Sequence, residues 1–146
     1  MLSYTEPAVT IAEADAYAEA RAWSNWTGAE PVKTAALRRG QDYLAQRYNG
    51  RWVTEWANDE APEPVKYAII EAARRELVEP GSLSPDFVAS RQIKSEKKGV
   101  GPLTKEVTYA DAAGAASARP SIAAIDNLLA GLIAAAGGAS AGLLRV

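Results

Sequence analysis

The chain has 146 residues, 48% of them hydrophobic, and a formal net charge of −2, so we expect one domain and exclude a generally basic nucleic-acid binder. Cysteine and histidine are absent, which excludes disulfides, thiol nucleophiles and the usual zinc ligands and removes the commonest general acid–base side chain. The composition therefore predicts a protein that is not an enzyme and holds no metal or cofactor. It also predicts no membrane association, since there is no signal-peptide pattern and no stretch near the roughly 20 apolar residues of a membrane span.

Two helices are predicted in the first third of the chain. Thr10 and Glu13 have the spacing of a capping box, so the first helix begins at Thr10 and runs to about Trp23. The second helix begins at "PVKTAAL" and ends before the "NG" pair at 49–50. Gly40 lies in its apolar stripe and costs up to about 1 kcal/mol relative to alanine. Close approach of another helix would explain a glycine there.

An irregular aromatic segment, "RWVTEWANDEAPEP", follows the second helix. Its tryptophans, with Tyr48 and Arg51 beside them, have two interpretations. They could stack the bases of single-stranded DNA, or they could fill gaps in an alanine-rich bundle or a subunit interface. The acidic net charge and the neighbouring Glu55 favour packing. The candidate subunit-interface residues are Tyr17, Gly40, Trp52 and Trp56.

A third helix and a β-hairpin are predicted next. The helix begins near Pro64, and Pro80 and Gly81 end it. Apolar and polar residues then alternate on both sides of a Gly/Pro-containing centre, which is typical of a hairpin with a long tip, "KKGVGPLT". Such a tip is expected to project from the domain.

The last elements are a fourth helix and a tethered tail. The helix is predicted over residues 120–136, because its leucines and isoleucines share one face. A glycine-rich tether, "GGASAG", separates it from the terminal "LLRV". This tetrapeptide could dock on its own domain or add a strand to the sheet of a partner. Its residues are Leu143, Leu144, Arg145 and Val146.

These elements predict a mainly α fold. It is a small bundle of about four helices with a projecting β-hairpin and an extended C-terminal tail. Residues 1–136 form the domain, with the hairpin inserted near residues 91–110, and residues 137–146 form the tether and docking tail.

The motifs for enzymatic or nucleotide chemistry are weak. "KKGVGPLTK" lacks the Walker spacing, a preceding apolar strand and a following helix, so nucleotide binding is not expected. The acidic loop at 59–63 shows no sign of the shielding that paired-carboxylate hydrolysis needs. The basic hairpin has three interpretations: a surface finger of no function, a grip on a phosphate backbone, or the lining of a channel when many copies form a ring. Its basic residues are Arg91, Lys94, Lys97, Lys98 and Lys105.

Charge is also uneven along the chain. Residues 1–30 have a net charge of −4, and residues 91–106 have a net charge of +3. Poles of opposite sign suit the packing of one copy against another, although ordinary solvated faces explain them equally well.

Several segments, taken in order, resemble a known family. They are "YTEPAVTIAEADAYAEAR", "AALRRGQDYLAQRY", "VKYAIIEAARREL", "KSEKKGVGP" followed by "VTYAD", and "IDNLLAGLI". This set resembles the head–tail connector (adaptor) proteins of tailed phages and gene transfer agents, some of which carry the label DnaT-like single-stranded-DNA-binding protein. The tip "EKKGVGPLTKE" is longer than in those proteins, and the segment after the second helix differs from theirs.

The resemblance implies a structural virion protein. It implies a dodecameric ring beneath the portal, which extends the channel for passing double-stranded DNA without reading its sequence. The ring would sit in the head–tail neck of a virion assembled in the bacterial cytoplasm, and would join the next connector, stopper or tail-terminator protein. Residues 143–146 would dock on the portal, and the basic hairpin would face the channel or the next ring. The alternative function is a single-stranded-DNA-binding module that uses Trp52, Trp56 and the hairpin lysines.

Overall fold

The computed structural model describes residues 1–85, 93–98, 105–109 and 121–135. The protein is mainly helical in these ranges, as the sequence predicts. A single 3₁₀ turn, Asn58–Glu60, precedes the third helix. The other elements are α1 (Ile11–Ala20), α2 (Glu30–Tyr48), α3 (Glu63–Val78), β1 (Ile93–Lys98), β2 (Lys105–Tyr109) and α4 (Ala123–Leu129).

Helix α1 begins as predicted but ends three residues before Trp23. The Thr10 hydroxyl accepts a hydrogen bond from the Glu13 amide at 3.1 Å, and the Glu13 carboxylate accepts one from the Thr10 amide at 2.8 Å, which completes the capping box. The helix ends because Ala22 takes a left-handed conformation, with φ of 53°. The Trp23 amide then donates back to the Ala18 carbonyl at 3.0 Å.

The core lies between α2 and α3, with α1 and α4 packed against it. A Cβ on Gly40 would lie 2.8 Å from both the Ala73 amide nitrogen and the Ile69 carbonyl oxygen of α3. The glycine therefore permits the close approach of two helices that its position in the stripe indicates. Larger side chains such as Leu44, Ile69 and Ile125 are fully buried around this crossing.

Helix α4 is shorter than predicted. It covers Ala123–Leu129 rather than residues 120–136. Gly131, with φ of 86°, turns the chain after the helix, and residues 132–134 continue in an extended conformation beside residues 51–53. The apolar run "LLAGLI" therefore divides between a helix and an extended segment, which periodicity alone does not reveal.

The two predicted hairpin strands are present and pair antiparallel. Lys98 lies opposite Lys105, Glu96 opposite Val107, and Ile93 opposite Tyr109. One extra residue on β1 between Ile93 and Ser95 makes a bulge in the ladder. The strands belong to a compact unit, Ser84–Pro120, that is separate from the helices. The first two residues of the predicted tip, Lys97 and Lys98, belong to β1, so the ladder extends further than predicted. The rest of the tip at 99–104, the linker before α4 and the tether and tail at 137–146 lie outside the described residues.

Candidate functional site

The candidate site is an aromatic surface where the chain leaves α2. Its backbone is held by pairing with the segment after α4: the Val53 amide donates to the Leu132 carbonyl at 3.0 Å, and the Ala134 amide donates to the Arg51 carbonyl at 2.7 Å. The Arg51 guanidinium reinforces this pairing with two bonds to the Ala134 carbonyl, at 3.1 and 2.7 Å. After a turn at Asn49 and Gly50, an extended segment thus presents Trp52 from a fixed backbone.

The orientation of Trp52 is set by Asn49. The indole N–H donates to the Asn49 side-chain oxygen at 3.0 Å. The same amide group pairs with both backbone groups of Leu2 at 2.9 Å, so the N-terminal segment and the indole share one anchor. Trp52 also lies beside the buried Tyr48, with 6.1 Å between ring centroids. Its ring is therefore pre-positioned, although it is only half-buried.

Trp56 completes the aromatic pair. Its ring centroid lies 4.9 Å from that of Trp52 in an edge-to-face arrangement. The N-terminal ammonium of Met1 donates to the Trp56 carbonyl, which brings a positive charge beside the pair. Both half-buried indoles line an open groove of about 510 Å³, with Asn49, Gly50 and Thr54 along it. We call this the Trp52–Trp56 groove.

The charges near the Trp52–Trp56 groove are mixed. Arg47 and Arg51 lie over the ring of Tyr48 at 5.7 and 5.6 Å, whereas Glu55 lines the groove itself. The Tyr48 hydroxyl donates to Asp126 of α4 at 3.0 Å. Burial, and then the bond to Asp126, raise the pKa of Tyr48 to about 12, so this phenol stays neutral at physiological pH.

The other interface candidates are explained within the chain. Tyr17 is 5% exposed, and its hydroxyl donates to Glu71 of α3 at 2.8 Å. Burial, and then this bond, raise the pKa of Tyr17 to about 12. Gly40 lies at the crossing of α2 and α3. Contact of Tyr17, Gly40, Trp52 or Trp56 with another copy stays a prediction.

The basic residues proposed for a channel or phosphate contact are placed in part. Lys94, Lys97 and Lys98 lie on β1, and Lys105 begins β2. Arg91 and the tail residues 143–146 lie outside the described residues, so their roles stay predictions.

The residues that hold the N-terminal segment are not evident from the sequence patterns. Gln41 is 2% exposed; its side-chain oxygen accepts from the Ala8 amide at 2.8 Å, and its nitrogen donates to the Ser3 carbonyl at 2.7 Å. The sequence indicates Asn49 only as a helix stop. Gln41 could have been predicted from its place in the apolar stripe of α2, because a buried glutamine there needs hydrogen-bond partners.

Neither a membrane-spanning helix nor a metal-binding cluster is found in the described ranges. No helix in them is long and apolar enough to cross a bilayer. No group of three or more carboxylates in the same ranges is arranged to hold a metal ion.

Comparison with known proteins places the chain in a family. A family model described as "Putative DnaT-like ssDNA binding protein" matches residues 3–57 and 51–146, which together span nearly the whole chain. No curated protein and no solved structure matches this chain. The match includes the helices, the strand pair and the Trp52–Trp56 groove, and on this ground the chain belongs to the DnaT-like ssDNA-binding protein family.

Proposed function

We propose that the protein binds single-stranded DNA and that the Trp52–Trp56 groove stacks its bases. The observation that carries this proposal is a pair of half-buried indoles in edge-to-face contact at an open groove, where a hydrogen bond to Asn49 holds the indole of Trp52. Family membership supports it independently. Aromatic platforms on rigid backbone bind single strands without sequence preference, because every base has a π-face.

The construction of the groove favours binding over mere core filling. A tryptophan that only fills a core would be fully buried, whereas both indoles here are only partly buried and line an open groove. Because Asn49 and the pairing of residues 51–53 fix Trp52 in advance, little side-chain entropy is lost when a base stacks on it.

The charge of the protein sets the strength and salt dependence of this binding. Its net charge of −2 gives no long-range attraction to a polyanion. Local cations must therefore offset the repulsion, and the cations near the groove include the Met1 ammonium and the guanidinium groups of Arg47 and Arg51 beside Tyr48. We expect modest affinity that falls as salt is raised.

A binding titration with a labelled thymidine strand tests the proposal. Trp52→Ala and Trp56→Ala should each weaken binding about five- to one-hundred-fold, since stacking contributes about 1–3 kcal/mol per base. Tyr4→Ala is the matched control, because Tyr4 is an exposed aromatic residue that does not line the groove. Thermal unfolding of each variant checks that the fold is retained.

The proposal fails if the wild-type protein does not bind at about 50 mM salt, where phosphate contacts are strongest. It also fails if both tryptophan variants retain folded structure and wild-type affinity.

A ring-forming head–tail connector is the second candidate function. The ordered set of resembling segments supports it, and so does the charge of the N-terminal third. Asp15 and Glu13 pair with Lys33 and Lys66, yet the other glutamates of that third have no ion-pair partner among the described residues. They are Glu6, Glu19 and Glu30. These carboxylates are available to the basic hairpin of a neighbouring copy.

Electron microscopy of the purified protein, alone and with portal-containing particles, tests this second function. The connector function predicts rings of twelve copies that attach to the portal. Deletion of residues 143–146 should abolish this attachment. A protein that stays monomeric and never joins a portal-containing assembly would contradict it, whether or not it binds single strands.

A further inference from the structure

A second aromatic cluster lies between α1 and α3. The buried ring of Tyr17 lies 5.3 Å from Trp23 and 4.8 Å from Tyr67, measured between ring centroids. Tyr67 and Trp23 are half-buried. The groove beside Tyr17 and Tyr67 has a volume of about 480 Å³, and its charged lining consists of Arg21, Lys66, Glu13 and Glu63.

Two arginines lie over the rings of this cluster. The Arg21 guanidinium carbon is 3.4 Å from the centroid of the Tyr17 ring, and that of Arg74 is 4.2 Å from the centroid of Trp23. An arginine stacked in this way loses little freedom when it binds an anion, because its planar donor fork is already oriented.

These two arginines differ from their basic neighbours in having no carboxylate partner among the described residues. Lys66 pairs with Glu13 at 3.0 Å, and Arg75 pairs with Glu71 at 3.0 Å. Arg21 donates one bond, to the Tyr17 carbonyl at 3.2 Å, and Arg74 makes no hydrogen bond or ion pair within the described part of the chain. Most of their N–H groups thus remain available to a ligand.

We propose that Arg21 and Arg74 bind phosphate groups of the same single strand whose bases stack in the Trp52–Trp56 groove; this inference rests on the proposed function. Guanidinium groups bind phosphate oxygens through paired hydrogen bonds. The ring faces of Tyr17 and Trp23 are covered by the arginines, so this surface contacts the backbone of the strand rather than its bases.

The two grooves are close enough for one strand. Ala57 lines the Trp52–Trp56 groove, and Ala61 lines the groove beside Tyr67. Four residues of chain separate their Cα atoms by at most about 14 Å. The neighbouring edges of the two grooves are therefore within reach of one strand; Arg21 lines the second groove, and Arg74 lies against Trp23.

Salt-dependent binding of two probes tests the assignment. The probes are a labelled thymidine strand of about twelve nucleotides and an abasic strand of the same length. The double variant Arg21→Gln, Arg74→Gln should weaken binding of both strands about tenfold and reduce the salt slope of the logarithm of affinity by about 1.4, since each phosphate contact on a single strand contributes about 0.7. Trp52→Ala should weaken binding of the thymidine strand alone.

The control is Arg38→Gln, which removes one positive charge from an arginine already paired with Asp42 at 3.0 Å. If the double variant is folded and its salt slope equals that of the wild type, or if Arg38→Gln reduces the slope as much, the phosphate assignment is overturned. If a polyglutamate peptide binds more tightly than either strand and depends on the same arginines, the surface recognises an acidic protein instead.

The outcomes separate the two proposals. If Trp52→Ala binds the thymidine strand as tightly as the wild type while the double arginine variant binds more weakly, base stacking is overturned and the phosphate site is supported. If the double arginine variant binds both strands as the wild type does while Trp52→Ala binds the thymidine strand more weakly, the phosphate site is overturned and the proposed function stands. No binding of either strand overturns both.

Discussion

At the scale of single residues, Gly40 shows how one missing Cβ fixes the helix pair. A Cβ at this position would meet backbone atoms of Ile69 and Ala73, not the flexible end of a side chain. A clash with backbone can be relieved only if α2 and α3 separate, and both helices carry the core. The sequence could predict that a helix approaches Gly40, because glycine in mid-helix costs stability, but it could not predict which helix.

Gly40→Ala should therefore lower the free energy of unfolding by about 1–3 kcal/mol, the usual cost of overpacking. Urea denaturation measures this change. Gly50→Ala is the matched control, because a Cβ at Gly50 meets no atom within 4 Å. Equal stability of the Gly40 variant and the wild type would contradict the close packing of the two helices.

Two buried tyrosines make stability depend on alkaline pH. The pKa of Tyr17 and that of Tyr48 are each raised to about 12, first by burial and then by hydrogen bonds to Glu71 and Asp126. An unfolded tyrosine titrates near pH 10. Between about pH 10 and 12 the native state therefore holds more protons than the unfolded state, so stability is fully present below pH 10 and falls as pH rises.

Urea denaturation at about pH 9 and pH 11 should show this loss, to which each tyrosine contributes on the order of 1 kcal/mol. Tyr17→Phe and Tyr48→Phe should each reduce the difference between the two pH values. Tyr4→Phe, at an exposed position, should leave the difference unchanged. If all three variants lose as much stability between about pH 9 and pH 11 as the wild type does, the two buried phenols do not cause the alkaline loss of stability.

At the scale of elements, the starts of helices could be predicted better than their ends. The capping box at Thr10 is visible in the sequence, because it needs only two residue types at fixed spacing. The end of α1 is not, because an alanine takes the left-handed position that glycine usually occupies. The end of α4 is hidden as well, because the extended segment after Gly131 pairs with residues distant in sequence.

Ala22→Gly should raise the free energy of unfolding by about 0.5–1 kcal/mol. Ala22 has φ of 53°, and an L-residue pays roughly 1–2 kcal/mol for that conformation, which glycine avoids at some cost in unfolded-chain entropy. Ala20→Gly, in the last turn of α1, is the control and should be neutral or destabilising. Thermal unfolding compares the two variants, and a destabilised Ala22→Gly protein would show that the turn is not strained.

At the scale of the whole molecule, the sequence could identify the aromatic residues of the site but not their geometry. It marks Trp52 and Trp56 as candidates for base stacking and, more strongly, for packing. The structure shows that they contact the core and also line an open groove. The backbone of Trp52 is fixed by the pairing of residues 51–53 with residues 132–134, a contact between segments about 80 residues apart that no local pattern indicates.

The central claim, that single-stranded DNA stacks in the Trp52–Trp56 groove, is tested most directly by the NMR signals of the indole N–H groups during titration with a thymidine strand. The chain has four tryptophans, and each gives one such signal. The signals of Trp52 and Trp56 should shift in proportion to binding, whereas that of Trp26, which is 6% exposed and bonded to Asp15, should stay in place. Binding that leaves the Trp52 and Trp56 signals unmoved, or no binding at low salt, would contradict the claim.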